Sequence, residues 1–461
     1  MRLVPFLPRN NVRIRLSEVM SALSYALDLV EGQPEGHSVR ACMIGMRLGA
    51  AMGLSGSDRS ALFYALLMKD LGCSSNAAKM CFLFTADDRA TKGDIKTVNW
   101  RNPISSLRFA MTHVAPGSPM LVRIKRIIGL AAAGERAGKE LIQIRCERGA
   151  RIARQFGLSD ATANAIHALD EHFDGGGHPD GLIGDQIPLL ARIMGLAQTA
   201  EVFLRQHGLA AMRQMARDRR GTWFDPDLID RLLAITDADA LWGDLYENTA
   251  ANLAQYEPEE EERFADDQQI DDIAYGFAQV IDAKSPWTFR HSLGVADVAI
   301  GIGGVLGLSA AELRNLKRAA LLHDVGKLGV SNLILDKPAK LTPEELTEMR
   351  KHPDYTYRIL RKVAGFSDLA ELAASHHERI DGKGYYRGLS GMQLTRDIRI
   401  LCVSDMYEAL AAKRPYREDL NGEQVMAILQ KNAPHGICPE TLEALVAFSD
   451  QGTFKPYQVA A

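Results

Sequence analysis

The chain has 461 residues, 46% of them hydrophobic and 24% charged. That composition excludes a disordered or fibrous chain and leaves room for two or three domains of ordinary size. A formal net charge of −4 and the lack of any Lys/Arg cluster argue against a phosphate-tracking nucleic-acid groove. The longest apolar run, around residues 127–133, is far below the roughly 18 residues a bilayer span needs. Residues 1–15 are broken by Pro5 and Pro8 and do not form a signal peptide's apolar region. We therefore expect a cytoplasmic protein with no membrane or nucleic-acid partner. Cys42, Cys73, Cys81, Cys146, Cys402 and Cys438 are scattered without C-x-x-C spacing and read as reduced thiols.

Taken in chain order, apolar residues recur at three- and four-residue intervals almost throughout, and alternating patterns are rare. An all-α fold is expected. Residues 256–269 turn strongly acidic and are assigned as a solvated linker. They separate a first domain, 1–255, from a second, 270–461. Helix starts are marked in the second by Ser309 with Glu312, and by Thr342-Pro343-Glu344-Glu345.

The two halves are copies of one another. Asp174-Gly175-Gly176-Gly177-His178-Pro179-Asp180-Gly181-Leu182 lines up with Asp381-Gly382-Lys383-Gly384-Tyr385-Tyr386-Arg387-Gly388-Leu389, 207 positions on (381 − 174). Earlier in each half, His37-Ser38 meets His291-Ser292 and Asp70 meets Asp324, at a spacing of 254 (324 − 70). The difference, 47 residues (254 − 207), is an insertion in the first copy, placed between Leu71 and Arg145.

The second copy gathers residues that are costly to bury without a shared purpose. His323-Asp324 ends an apolar helix, with Lys327 three residues beyond the acid. His291 shares a helical stripe with Val295, Val298 and Ile302, and Asp405 shares one with Ile398, Leu401 and Cys402. His352 precedes Pro353, and His376-His377-Glu378 precedes a glycine-rich loop. Imidazoles and carboxylates in this number are ready ligands for divalent transition metals.

These residues carry a resemblance. Residues 270–461 resemble an HD-GYP domain, the metal-dependent branch of the HD phosphohydrolases that hydrolyses cyclic di-GMP. The matching motifs are His291, the run from His323 to Lys327, Lys337-Pro338, His352-Pro353, His376-His377-Glu378, Asp381-Gly382-x-Gly384-Tyr385, Asp405 and Arg414-Pro415-Tyr416-Arg417. The resemblance implies a catalytic centre of two divalent metals, iron or manganese. His291, His323 and Asp405 would hold one, His352, His376 and His377 the other, and Asp324 would bridge them. Lys327, Arg414 and Arg417 would bind the substrate's phosphates, Lys327 acting in catalysis alongside Asp324.

Two positions depart from the family pattern. Trp287 stands where some members carry a third-metal glutamate, so no third metal is expected. Tyr386 replaces the signature proline, and the freer loop is expected to weaken substrate binding about fivefold, recoverable by Tyr386→Pro. In the first copy Lys69, Arg145, Leu169, Asp170 and Gln198 occupy the positions of His323, His352, His376, His377 and Asp405. Lys69 and Arg145 are expected to pair with Asp70 and Asp170 in a degenerate, non-catalytic domain. The expected function is a cyclic di-GMP phosphodiesterase, with cyclic dinucleotide as substrate. The rivals are hydrolysis of another nucleotide, and a signalling adapter that binds a protein partner through the first half or the loop of Gly384, Tyr385 and Tyr386.

Overall fold

The computed structural model describes residues 13–100, 102–237, 245, 253–258, 263–288, 290–412 and 420–450, without the side chains of 133–137. As expected, the fold is all-α. Among the described residues the strands are β1 (Ile14–Arg15) and β2 (Phe264–Ala265), an antiparallel pair that aligns Ile14 with Ala265. The first copy contains α1 (Leu16–Val30), α2 (His37–Ala51), α3 (Gly56–Met68), α4 (Ala77–Phe84), α5 (Asp88–Ile95) and α6 (Pro103–His113). It continues through α7 (Met120–Gln155), α8 (Asp160–His167), α9 (Leu189–Asp218) and α10 (Pro226–Asp237). The second contains α11 (Asp267–Asp282), α12 (His291–Val305), α13 (Ala310–Leu322), α14 (Asn332–Leu335), α15 (Pro343–Met349) and α16 (His352–Leu360). It ends with α17 (Ser367–Ala374), α18 (Arg396–Ala411), α19 (Gly422–Asn432) and α20 (Pro439–Asp450).

Helix starts follow local chemistry. Ser309 and Thr342 each form the reciprocal capping box with Glu312 and Glu345. Within the acidic segment, residues 264–269 carry a strand and the start of a helix. Phe264 and Ala265 pair with β1, and the Asp266 side chain accepts from the Gln269 N–H to cap α11.

The two copies are interlocked. Helix α1 packs on α16 and on the turn Val325–Gly329 of the second copy, and α11 packs on α7 and on the turn Cys73–Asn76 of the first. Shifted by the repeat spacings these contacts are equivalent, so the first helix of each copy packs on its own copy and also reaches the other. Phe156 stacks on Phe277 with ring centroids 5.6 Å apart. Gly276 permits that approach, because a Cβ there would meet the Phe156 ring at 2.4 Å. One buried apolar core consequently runs through both copies.

The insertion comprises α4, α5, α6 and the start of α7. Met80, Phe84, Val98, Phe109, Val114 and Leu141 give it a small core of its own. No helix of the described residues is long and apolar enough to cross a membrane, and all six cysteines are free.

Candidate metal centre

His323 is the first residue after α13, and the chain turns sharply there. The Thr356 hydroxyl donates to His323 O at 2.8 Å and accepts from the Gly326 N–H at 3.0 Å, fastening the turn to α16. Gly326 is required at that contact, since a Cβ would lie 1.9 Å from His352 O. Asp324 is thereby pushed into the interior, 1% exposed, at the meeting point of α12, α16, α17 and α18.

The seven residues expected as ligands meet there. His291 Nε2 and His323 Nε2 lie 3.5 and 3.3 Å from Asp324 Oδ2, and 3.4 and 3.8 Å from Asp405 Oδ1. On the other side, His352 Nε2 and His376 Nε2 lie 3.4 and 3.6 Å from Asp324 Oδ1. His377 Nδ1 is 3.5 Å from Asp405 Oδ2. Asp324 thus presents one oxygen to each of two imidazole groups, the arrangement a bridging carboxylate needs. Lys327 Nζ donates to Asp324 Oδ2 at 2.6 Å, so in this structure it rests on the carboxylate.

The imidazoles are oriented from behind. His323, His352 and His376 each place Nδ1 2.7 Å from a backbone carbonyl three residues earlier, those of Ala320, Met349 and Ala373. That bond puts the proton on Nδ1 and turns the Nε2 lone pair inward. His291 Nδ1 pairs instead with Glu408, one helical turn beyond Asp405 on α18. Sequence reasoning missed Glu408, although the repeat held the signal: Glu201 is its equivalent at spacing 207 (408 − 201) and pairs with His37 Nδ1. Replacing Glu408 with Gln should lower metal affinity and turnover about tenfold, the usual scale for such supporting groups. Metal titration of the apo variant checks it.

Electrostatics favour a ligand set. Burial drives His352 down to about 3 and His377 down to about 4, against the pull of Asp324 and Asp405 respectively. Burial, with His377 and His323 adding to it, also holds His376 well below its ordinary value. These low values favour neutral rings, and the Nε2 atoms of His352 and His376 face each other at 3.1 Å. Burial by itself would raise Asp324 and Asp405, but the surrounding imidazoles, with Lys327 on Asp324, hold both carboxyls well below the usual range. His323 Nε2 and Asp324 Oδ1 are buried with no hydrogen-bond partner among the described residues. Inward-facing donors left unsatisfied in this way fit divalent cations.

A cavity of about 370 Å³ adjoins the centre, lined by Arg350, His377, Tyr385, Arg399, Cys402 and Met406 among others. The Tyr385 ring lies tilted against His377 with centroids 4.5 Å apart, and the Arg350 guanidinium is 5.2 Å from its centroid. Arg414 and Arg417, expected to bind phosphate, lie outside the described residues.

The loop expectation at Tyr386 is corrected. Its φ is +96°, a region closed to proline, whose ring fixes φ near −65°. The loop is also already held: Glu378 accepts from the N–H groups of Arg387, Gly388 and Leu389 at 2.8, 3.1 and 2.9 Å. Tyr386→Pro would therefore disrupt this loop instead of ordering it.

In the first copy the two cations at lost ligand positions form ion pairs, as expected. Lys69 pairs with Asp70 and Arg145 with Asp170. The insertion adds what the repeat alone did not foretell. Lys96 reaches Glu31 at 3.1 Å and Asp70 at 3.8 Å, and Lys92 donates to Cys73 O at 2.6 Å. Glu31, Asp70 and Cys73 are clustered like ligands, but cations occupy the space a metal would need. Burial would raise the Glu31 carboxyl, yet Lys96 and Lys92 hold it down to about 2. Its contribution to stability is complete above pH 4.5 and is lost as pH falls toward 2. Glu31→Gln should flatten the dependence of the thermal midpoint on pH in that window, measured on metal-free protein.

Fold and centre together define an all-α protein built on a buried histidine–carboxylate cage. The family model described as HD domain matches residues 118–228 and 277–439, the first match beginning beyond the insertion's α6. The chain belongs to the HD domain family, and within it to the HD-GYP type. It is 40% identical over 431 residues to 3'3'-cGAMP-specific phosphodiesterase 3 of Vibrio cholerae, covering 93% of this chain and 94% of the relative. The cyclic di-GMP phosphodiesterase response regulator RpfG of Xanthomonas campestris is 34% identical over 171 residues, 37% of this chain and 45% of that one. The crystal structure of the cyclic GMP-AMP specific phosphodiesterase V-cGAP3 of V. cholerae superposes with a TM-score of 0.66 at 35% identity. That likeness covers 95% of this chain and 98% of the other.

Proposed function

We propose that the chain is a metal-dependent phosphodiesterase of cyclic dinucleotides, with 3'3'-cGAMP as its preferred substrate. The observation that carries the reading is the cage itself. Four imidazoles surround Asp324 and a fifth, His377, lies beside Asp405, so five imidazoles meet two carboxylates, and the adjoining cavity is of small-molecule size. His291, His323 and Asp405 would hold one divalent metal, His352, His376 and His377 a second, with Asp324 shared between them. Such a pair, iron or manganese, supplies Lewis acidity toward a phosphoryl oxygen and makes water a better nucleophile at neutral pH.

The chain's own residues do the remainder. Lys327, which rests on Asp324 in this structure, would put its charge on the phosphate once that carboxylate is engaged elsewhere. Arg350, on the ring of Tyr385, faces the cavity where a second phosphate or a base would lie. Water adds to phosphorus, one phosphodiester P–O bond breaks, and the released sugar oxygen takes a proton, leaving a linear dinucleotide.

The near full-length relative specific for 3'3'-cGAMP supports that substrate over cyclic di-GMP, which the sequence alone put first. The test is turnover of 3'3'-cGAMP, cyclic di-GMP and cyclic di-AMP by anaerobically purified protein loaded with Mn²⁺ or Fe²⁺. We expect 3'3'-cGAMP to be consumed fastest. A fully metal-loaded protein inert on all three would overturn the reading.

A further inference from the structure

Asp88 is the first residue of α5, inside the insertion of the first copy, and it is fully buried. The polar partners of its carboxylate lie in the second copy. Oδ2 sits 3.1 Å from Lys284 Nζ. Oδ1 accepts from the Asn332 N–H at 2.9 Å and from the Ser331 hydroxyl at 3.4 Å. Lys284 is 1% exposed, and Asp88 is the carboxylate within ion-pair reach of it among the described residues.

The two segments joined by Asp88 are those that present the centre. Lys284 opens the turn leading into α12 and His291. Asn332 ties that turn to its own helix, its Nδ2 donating to Lys284 O at 2.7 Å and to Asp336 at 2.6 Å. Asp336 in turn accepts from the Ser285 hydroxyl. Ser331 and Asn332 follow directly on the Val325–Gly329 turn that carries Lys327, and the neighbouring Arg89 donates to Gly329 O at 2.5 Å. The far end of α5 is anchored in the first copy, through Lys92 on Cys73 and Lys96 on Glu31.

This link is no part of the shared repeat. The equivalent of Lys284 at spacing 254 is Val30, which cannot pair with a carboxylate. We propose that Asp88 is a positioning residue for the centre of the second copy, supplied across the molecule by the first copy's insertion. It fixes the separation of the segments bearing His291 and Asp324–Lys327. The degenerate copy thus completes the catalytic one. The assignment rests on the metal-dependent phosphodiesterase reading above.

The test uses the full chain. Asp88→Asn keeps the side chain's shape and an acceptor oxygen but removes the charge facing Lys284. Calorimetric titration of the metal-free protein with Mn²⁺ should show affinity down about tenfold, with kcat on 3'3'-cGAMP reduced similarly and KM little changed. The thermal midpoint should fall as well, because Lys284 is left buried and unpaired. Adding Lys284→Met should restore the midpoint without restoring Mn²⁺ affinity or kcat. As a control, Glu35→Ala removes the pairs with Arg358 and Lys362 that also join the copies, and should leave both values at wild type. Recovery of affinity and kcat together with the midpoint in the double variant would reduce Asp88 to a stabilising contact and overturn the assignment. So would wild-type affinity in Asp88→Asn while the parent binds two Mn²⁺. A parent that binds no Mn²⁺ would overturn the metal reading itself, and this assignment with it.

Discussion

If the centre holds two metals as proposed, alanine in place of Asp324 should strip both and abolish turnover. Its two oxygens face the two imidazole groups separately, so truncation removes a ligand from each. The loss should exceed the roughly 10- to 100-fold cost of removing a supporting group behind a ligand. Asp70, its counterpart in the first copy, makes the control. Asp70→Ala should leave the metal content at that of the parent. It should lower stability by about 3–5 kcal/mol, because Lys69 is left buried without its carboxylate, while Lys96 keeps Glu31. Elemental analysis and thermal unfolding of the two variants separate these outcomes. Full metal content in Asp324→Ala, or metal loss in Asp70→Ala, would contradict the division of labour between the copies.

Tyr386→Pro should destabilise the protein and cut turnover. At φ +96° the backbone must rearrange to accept the proline ring, at a cost above the roughly 1 kcal/mol that proline gives at compatible sites. The rearrangement reaches the centre through Tyr385, whose ring lies on His377 and whose N–H bonds to His377 O at 3.2 Å. Tyr386→Gly is the complementary change. It suits the positive φ but gives up the ring that packs near Tyr357 and under the Arg387 guanidinium. Its thermal midpoint should stay close to wild type while that of the proline variant drops by several degrees. Proline raising the midpoint, or improving KM, would restore the view that this loop lacks only rigidity.

Residue chemistry and spacing by themselves determined a good deal about this protein. The three- and four-residue apolar period marked an all-α chain, because a helix buries one stripe and shows it in the sequence. The seven candidate ligands were legible because imidazoles and carboxylates on apolar stripes are costly unless they share a purpose, and the structure brings all seven together. The lysine and arginine at two lost ligand positions foretold the pairs of Lys69 with Asp70 and Arg145 with Asp170.

Tertiary structure alone decided the rest. Glu408 shares its residue type with Glu201 across the repeat, but its role shows only when α18 meets α12 and brings it to His291. The positive φ of Tyr386 follows from how Glu378 gathers the loop's N–H groups, which no residue type announces. The packing of α1 and α11 against both copies, and the reach of α5 from one to the other, are long-range. Periodicity shows that a helix has an apolar face; only the folded chain shows which neighbour covers it. Asp88 reads as a helix-start acid in sequence, and its burial against Lys284 depends on residues 196 positions away.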